Sequence, residues 1–202
     1  MTFKNTIRLL LILFICFSLI GLSNFKARSS QAIVPLNITV QGKLVITDAN
    51  NDNRTGYDPT LNVRLHLIPD LYAPLATGSS SIRIRTNLSN WKLTAQRSNV
   101  NSSTANIDPG DISLSFTTQA GTKANPNAGK LLPPFDTQTN LSRIATASPT
   151  DILKGNSKTS IDKDPENKNN WFQLTSNYSI SPDFFFETGE WNTVVSYNLV
   201  SP

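Results

Sequence analysis

An all-β fold, an Ig-like antiparallel β-sandwich carrying a long polar loop insertion, is what this 202-residue chain predicts. Three observations lead there. Trp191, Thr193, Val195, Tyr197 and Leu199 occupy alternate positions near the C-terminus, with Asn192, Val194, Ser196 and Asn198 between them. A period of two places the two rows on opposite faces of a strand, with the aromatic row inward. The same period recurs in shorter runs separated by turn residues, and beyond the first 32 residues no window sustains a period of 3.6.

The first run, Val34 to Thr47, alternates Leu36, Ile38 and Val40 with polar residues and resumes as Leu44 to Ile46, which predicts a strand or a hairpin around Gln41-Gly42. After the polar loop Asp48 to Asp58, a strand is expected over Leu61 to Ile68, with Leu61, Val63, Leu65 and Leu67 facing inward and Asn62, Arg64 and His66 outward. Ser81 to Thr86 and Asn90 to Ala95 follow at hairpin spacing, and Ile112, Leu114 and Phe116 alternate behind the turn Asp108-Pro109-Gly110. Between residues 117 and 170 the pattern thins into Pro, Asn, Ser, Thr and Lys, as expected of a surface insertion with a short strand at Arg143 to Ala147 and an apolar pin at Ile152-Leu153. Order returns at Trp171 to Leu174 and Tyr178 to Ile180. Trp91, Trp171, Trp191 and Phe184 to Phe186 are expected in the core.

Residues 1–32 stand apart. Lys4 and Arg8 precede an apolar run, Leu9 to Leu22, too short to span a bilayer and followed by small residues, the pattern of a secretory signal peptide. Cleavage is expected after Ala32 or, less in keeping with the basic pair Lys26 and Arg28, after Ser23. Residues 33–202 then form one secreted domain, with no membrane span after cleavage. All four basic residues of the leader go with it, leaving 14 basic and 14 acidic side chains, so nothing supports nucleic-acid binding. The lone cysteine, Cys16, also lies in the leader, and the remainder must be held by its core without disulfides.

Two short pieces resemble the WxL-domain proteins of bacterial cell surfaces. One is Trp91-Lys92-Leu93 within Asn90 to Thr94; the other is the ending, with Gly189, Trp191, Val195, Tyr197-Asn198-Leu199 and Pro202. Tyr197 stands where that family usually has Trp. The resemblance implies non-covalent attachment to cell-wall polysaccharide or peptidoglycan and assembly with other surface proteins, carried by Trp91, Leu93, Trp191, Tyr197 and Leu199. A similar ending occurs in pilus and spore-coat-type subunits, whose usual cysteines are missing here.

Little points to catalysis. No serine lies in a Gly-x-Ser-x-Gly elbow, and His66 is the only histidine, so neither a Cys–His pair nor a multi-histidine metal site can form. Asp48, Asn50 and Asp52 resemble the opening of a calcium loop, but the sixth and twelfth positions are Asn53 and Pro59, which excludes an EF-hand. That leaves a looser surface calcium site, joined by Asp58, as the alternative to an Asn/Asp-rich turn. No cofactor is implied. The expectation is a secreted, non-catalytic cell-surface protein associating with wall or matrix. A pilus-like structural subunit or adhesin is the alternative, and a secreted carbohydrate-active enzyme the more remote one.

Overall fold

The computed structural model describes residue 36 and residues 38–202, except 54–55 and 103–104. The expected signal peptide lies outside the described residues. The chain divides into two compact units, residues 1–40 and 41–202, and the second carries every described strand.

That second unit is nearly all β, in two antiparallel sheets. The first sheet orders β1 (Leu44–Asp48), β2 (Ala76–Thr86), β9 (Phe172–Ile180), β5 (Ser113–Ala120) and β7 (Thr139–Asn140) as β1-β2-β9-β5-β7. The second orders β11 (Val195–Val200), β3 (Trp91–Arg97), β8 (Thr150–Gly155) and β6 (Gly129–Leu131) as β11-β3-β8-β6. A two-stranded ribbon pairs β10 (Trp191–Asn192) with β4 (Asn101–Ser102).

The inward rows are the apolar ones that the alternation requires. Ile82 and Ile84 of β2, Leu114 and Phe116 of β5, and Phe172 and Leu174 of β9 meet Trp91, Leu93 and Ala95 of β3 and Ile152 and Leu153 of β8 in one core. Trp91 is fully buried, packs edge-on to Phe172 with ring centroids 6.4 Å apart, and donates its Nε1 hydrogen to the Ser157 carbonyl at 2.8 Å. Its indole needs room, and two glycines supply it. Gly155 pairs with Trp91 on one side and Gly129 on the other, and a Cβ at Gly155 would lie 2.1 Å from the indole ring.

Tyr197 ties the layers together. From β11 its hydroxyl reaches Ser176 of β9 at 2.9 Å, with the Tyr178 hydroxyl 3.5 Å away. Burial, with Tyr178 beside it, pushes the Tyr197 hydroxyl well above the usual tyrosine range, against the lowering effect of the Ser176 bond. A folded-state value above the unfolded one means stability that is intact below about pH 10 and lost as pH rises beyond it. Tyr197→Phe is expected to cost about 1 kcal/mol at neutral pH, by leaving the buried Ser176 without its partner. The same variant blunts alkaline unfolding, and urea titrations at pH 7 and pH 11 check both effects. An alkaline limb unchanged in the variant would refute the assignment.

Several expectations need correction. The stretch 117–170 is not a surface excursion: it opens with the end of β5 and supplies β6, β7 and β8. Ala124, Ala128, Phe135, Leu141 and Ile144, all in this stretch, are buried. Its strands are only two to six residues long, too short for a period to show. The strand expected at Arg143 to Ala147 is instead the end of a 3-10 turn, Leu141–Arg143, and bends. Phe184 and Phe185 are 72 and 74 % exposed rather than core.

Leu61 to Ile68 keeps its alternation of half-buried and exposed residues, yet it joins no sheet. Leu61, Leu65 and Leu67 pack on the core, and Val63 and Leu65 sit against Gly78 of β2. No backbone hydrogen bond links residues 59–69 to any other described residue. Peptide groups on an exposed segment can be satisfied by water, so burial of one apolar row does not oblige the segment to pair. Similarly, residues 36 and 38–43 form no strand, and Leu36, Ile38 and Val40 are 83, 76 and 78 % exposed.

Candidate functional surfaces

Of the residues expected to bind a ligand, two are enclosed in the core and three lie at its margin. Trp91 and Leu93 have no exposed surface, and Trp191, Tyr197 and Leu199 are half-buried against the same core. The two triplets nonetheless meet: β3 and β11 pair with Leu93 opposite Leu199 and Tyr197 opposite Ala95. A sugar ring stacks only on an open aromatic face, which Trp91 lacks. Trp191 buries its Nε1 without a hydrogen-bond partner among the described residues. These residues hold the second sheet and its seam to the first.

The Asp48 to Asp58 loop is likewise committed. Asp52 accepts two hydrogen bonds from Arg85 at 2.6 and 2.7 Å, one from Arg83 at 2.8 Å and one from the Thr47 hydroxyl at 2.6 Å. Arg83 in turn lies 4.0 Å over the Trp171 ring, and Arg85 donates to Asn170. Burial alone would raise the Asp52 carboxyl, but the bonds from Arg85, Thr47 and Arg83 outweigh it and lower it to about 2. A calcium ion using Asp52 would have to displace both guanidinium groups. Asp48 accepts from the Asn50 backbone, Asp58 sits at φ 48°, and no group of three or more acidic, histidine or cysteine side chains able to hold a metal occurs among the described residues. His66 is exposed on the unpaired segment.

What the sheets do present is a polar face. The outward rows of β2, β9 and β5 align in register as Thr77–Ser179–Ser113, Ser79–Asn177–Ser115 and Ser81–Thr175–Thr117. This is a three-by-three field of hydroxyls around one amide. Strand and residue spacing place its members about 5 Å apart across the sheet and about 7 Å along it. Within the field Ser81 and Thr175 bond to each other at 2.8 Å, and Gln173 donates to Thr175. The remaining side chains of the field carry no hydrogen bond to another described residue. A trough of about 530 Å³ runs over its first two rows and is lined also by Gln138. The alternation of small polar residues is visible in the sequence of each strand. Their convergence is not, because β2 and β9 lie some ninety residues apart in the chain.

A second depression, about 840 Å³, lies beside Asp52 and Arg85 and mixes Lys43, Lys158 and Lys163 with Asp164 and Glu166. It offers no single sign of charge. No helix among the described residues is long and apolar enough to cross a membrane. In comparisons with known proteins, the chain matches no family model, no curated protein and no solved structure.

Proposed function

We propose that the protein is a secreted, non-catalytic surface protein that binds polysaccharide of the cell wall or extracellular matrix, using the outer face of the first sheet. The observation that carries this reading is the field of free hydroxyl and amide groups around the trough. Such groups donate and accept alike, and match a ligand that presents its own hydroxyls along a flat chain. The leader supports export, and the resemblance to WxL-domain proteins agrees with a wall partner. The triplets that carry the resemblance serve the fold, and recognition is assigned to the sheet face.

The test is sedimentation of the exported protein with insoluble cell wall, with cellulose as control. Selective pelleting with wall is expected. The double variant Ser115→Ala, Asn177→Ala, whose side chains support nothing else in the structure, is expected to weaken retention about tenfold, the loss of a little over 1 kcal/mol of hydrogen bonding. Undiminished retention by a folded double variant would remove the polar face from the proposal. Equal recovery of wild type in every supernatant would remove wall binding altogether.

A further inference from the structure

We infer that β2 accepts an added strand from a second copy of this chain, and that the donor is the segment Leu36 to Val40.

The acceptor is an unfilled sheet edge. β1 covers β2 only from Ile82 to Thr86, and Ala49 extends that contact by one bond, donating to the Ser81 carbonyl. From Ala76 to Ser80, β2 pairs with β9 on one side and, among the described residues, with no strand on the other. Backbone groups alternate in direction along an antiparallel strand, so with Ser81 pointing towards Ala49, Thr77 and Ser79 point their N–H and C=O groups into the open side. A bare edge of this kind is a template for another strand.

The donor has the length and the pattern that the edge requires. Leu36, Ile38 and Val40 stand out in solvent at alternate positions, spanning the same five residues as the edge. Set antiparallel, with Leu36 opposite Ser80 and Val40 opposite Ala76, the segment would turn its apolar row to the inner side of the sheet. There Val63 and Leu65, which close over Gly78, offer half-buried apolar surface beside the edge. The same register places Thr39 on the outer side beside Thr77, continuing the polar face.

The chain's own segment cannot fill this edge. Gln41 and Lys43 are held by Asn87, which donates to the Gln41 carbonyl and accepts from the Lys43 amide, each at 2.8 Å. Asn87, just past the end of β2, lies about 23 Å from Ser80 along the strand direction, whereas full extension carries Leu36 no further than about 18 Å from Gln41. A Leu36 to Val40 strand paired at Ala76 to Ser80 must therefore come from another molecule. Each copy then donates at one end and accepts at the other, a head-to-tail arrangement that grows open chains.

The test is the mass in solution of the exported protein, by light scattering over a concentration series, with its N-terminus confirmed by mass spectrometry. Wild type is expected to form a concentration-dependent ladder of multiples of the monomer. Ile38→Asp destroys the donor row, and Ser79→Pro removes an edge N–H that bonds nothing in the monomer; each alone is expected to remain monomeric. An equimolar mixture of the two retains one intact donor and one intact acceptor. It should recover a dimer of twice the monomer mass and nothing larger, which also shows that both variants are folded. A monomeric wild type, a ladder unchanged by Ile38→Asp, or a mixture that stays monomeric would each overturn the inference. Because the readout is mass, the result is independent of wall binding.

Discussion

Replacing Trp91 with alanine is expected to cost the domain about 4 kcal/mol and to lower its thermal midpoint by about 8–16 °C. The indole is fully buried, packs against Phe172 and bonds to Ser157, so its removal leaves a large cavity in the core. The two glycines beneath it make the site specific to an aromatic ring. Gly155→Ala, which adds one methyl group 2.1 Å from that ring, is therefore also destabilising, by about 1–3 kcal/mol of overpacking. Calorimetry of the two single variants and the double variant would check this, since alanine at 155 should cost far less once the indole is gone. If Trp91→Ala melted like wild type yet no longer pelleted with cell wall, Trp91 would be a ligand contact and its place in the core would be refuted.

The second large effect concerns Asp52. Asp52→Ala removes the one carboxylate that Arg83 and Arg85 share and leaves two half-buried guanidinium groups facing each other. The expected loss is about 3 kcal/mol, seen as a fall of about 6–12 °C in midpoint. The pH dependence follows from the lowered carboxyl. The Asp52 group ordinarily titrates at 3.8 and in the folded protein at about 2. Its contribution, about 2 kcal/mol, is therefore intact above pH 4 and lost as pH falls through about 2. Asp52→Asn should remove that part of the acid limb while reducing stability at pH 7. Denaturant titrations at pH 7, 4 and 2 would decide it. A variant as acid-sensitive as wild type would mean that Asp52 is not the group responsible.

Much of the fold is legible because alternation reports burial. The inward rows of β2, β3, β5 and β9, and of β11 where Tyr197 and Leu199 fall, are the rows that the period of two singles out. Alternation does not report pairing, and this explains the segment from Leu61 to Ile68, whose apolar row is covered while its backbone remains in water. It also fails below about five residues, so β6, at three, was hidden in a run that reads as loop. Gly129 and Gly155 were the available signal there: glycines in an apparently loose stretch, explained only by a large ring lying across them.

The candidate functional surfaces were harder to read for a different reason. The aromatic residues that draw attention in the sequence are the ones a sandwich without disulfides most needs inside. The outer face, by contrast, is built from serine, threonine and asparagine, the commonest loop residues, and becomes a pattern only when three strands align. The same holds for Asp52. In the sequence it is one acid in a calcium-like spacing; in the structure, two arginines from β2 claim it.

The position of β9 has a consequence for how the chain assembles in time. β9 lies between β2 and β5, pairing with strands that precede it by about ninety and sixty residues. The first sheet therefore has no centre until Ile180 has been synthesised, and until then β2 and β5 must wait with open edges. With most of its contacts so far apart in sequence, the domain belongs among slow folders, and a chain leaving the ribosome N-terminus first emerges largely before its first sheet can close. An arrival order that leaves the central strand almost to the end delays closure of the first sheet until nearly the whole chain is present.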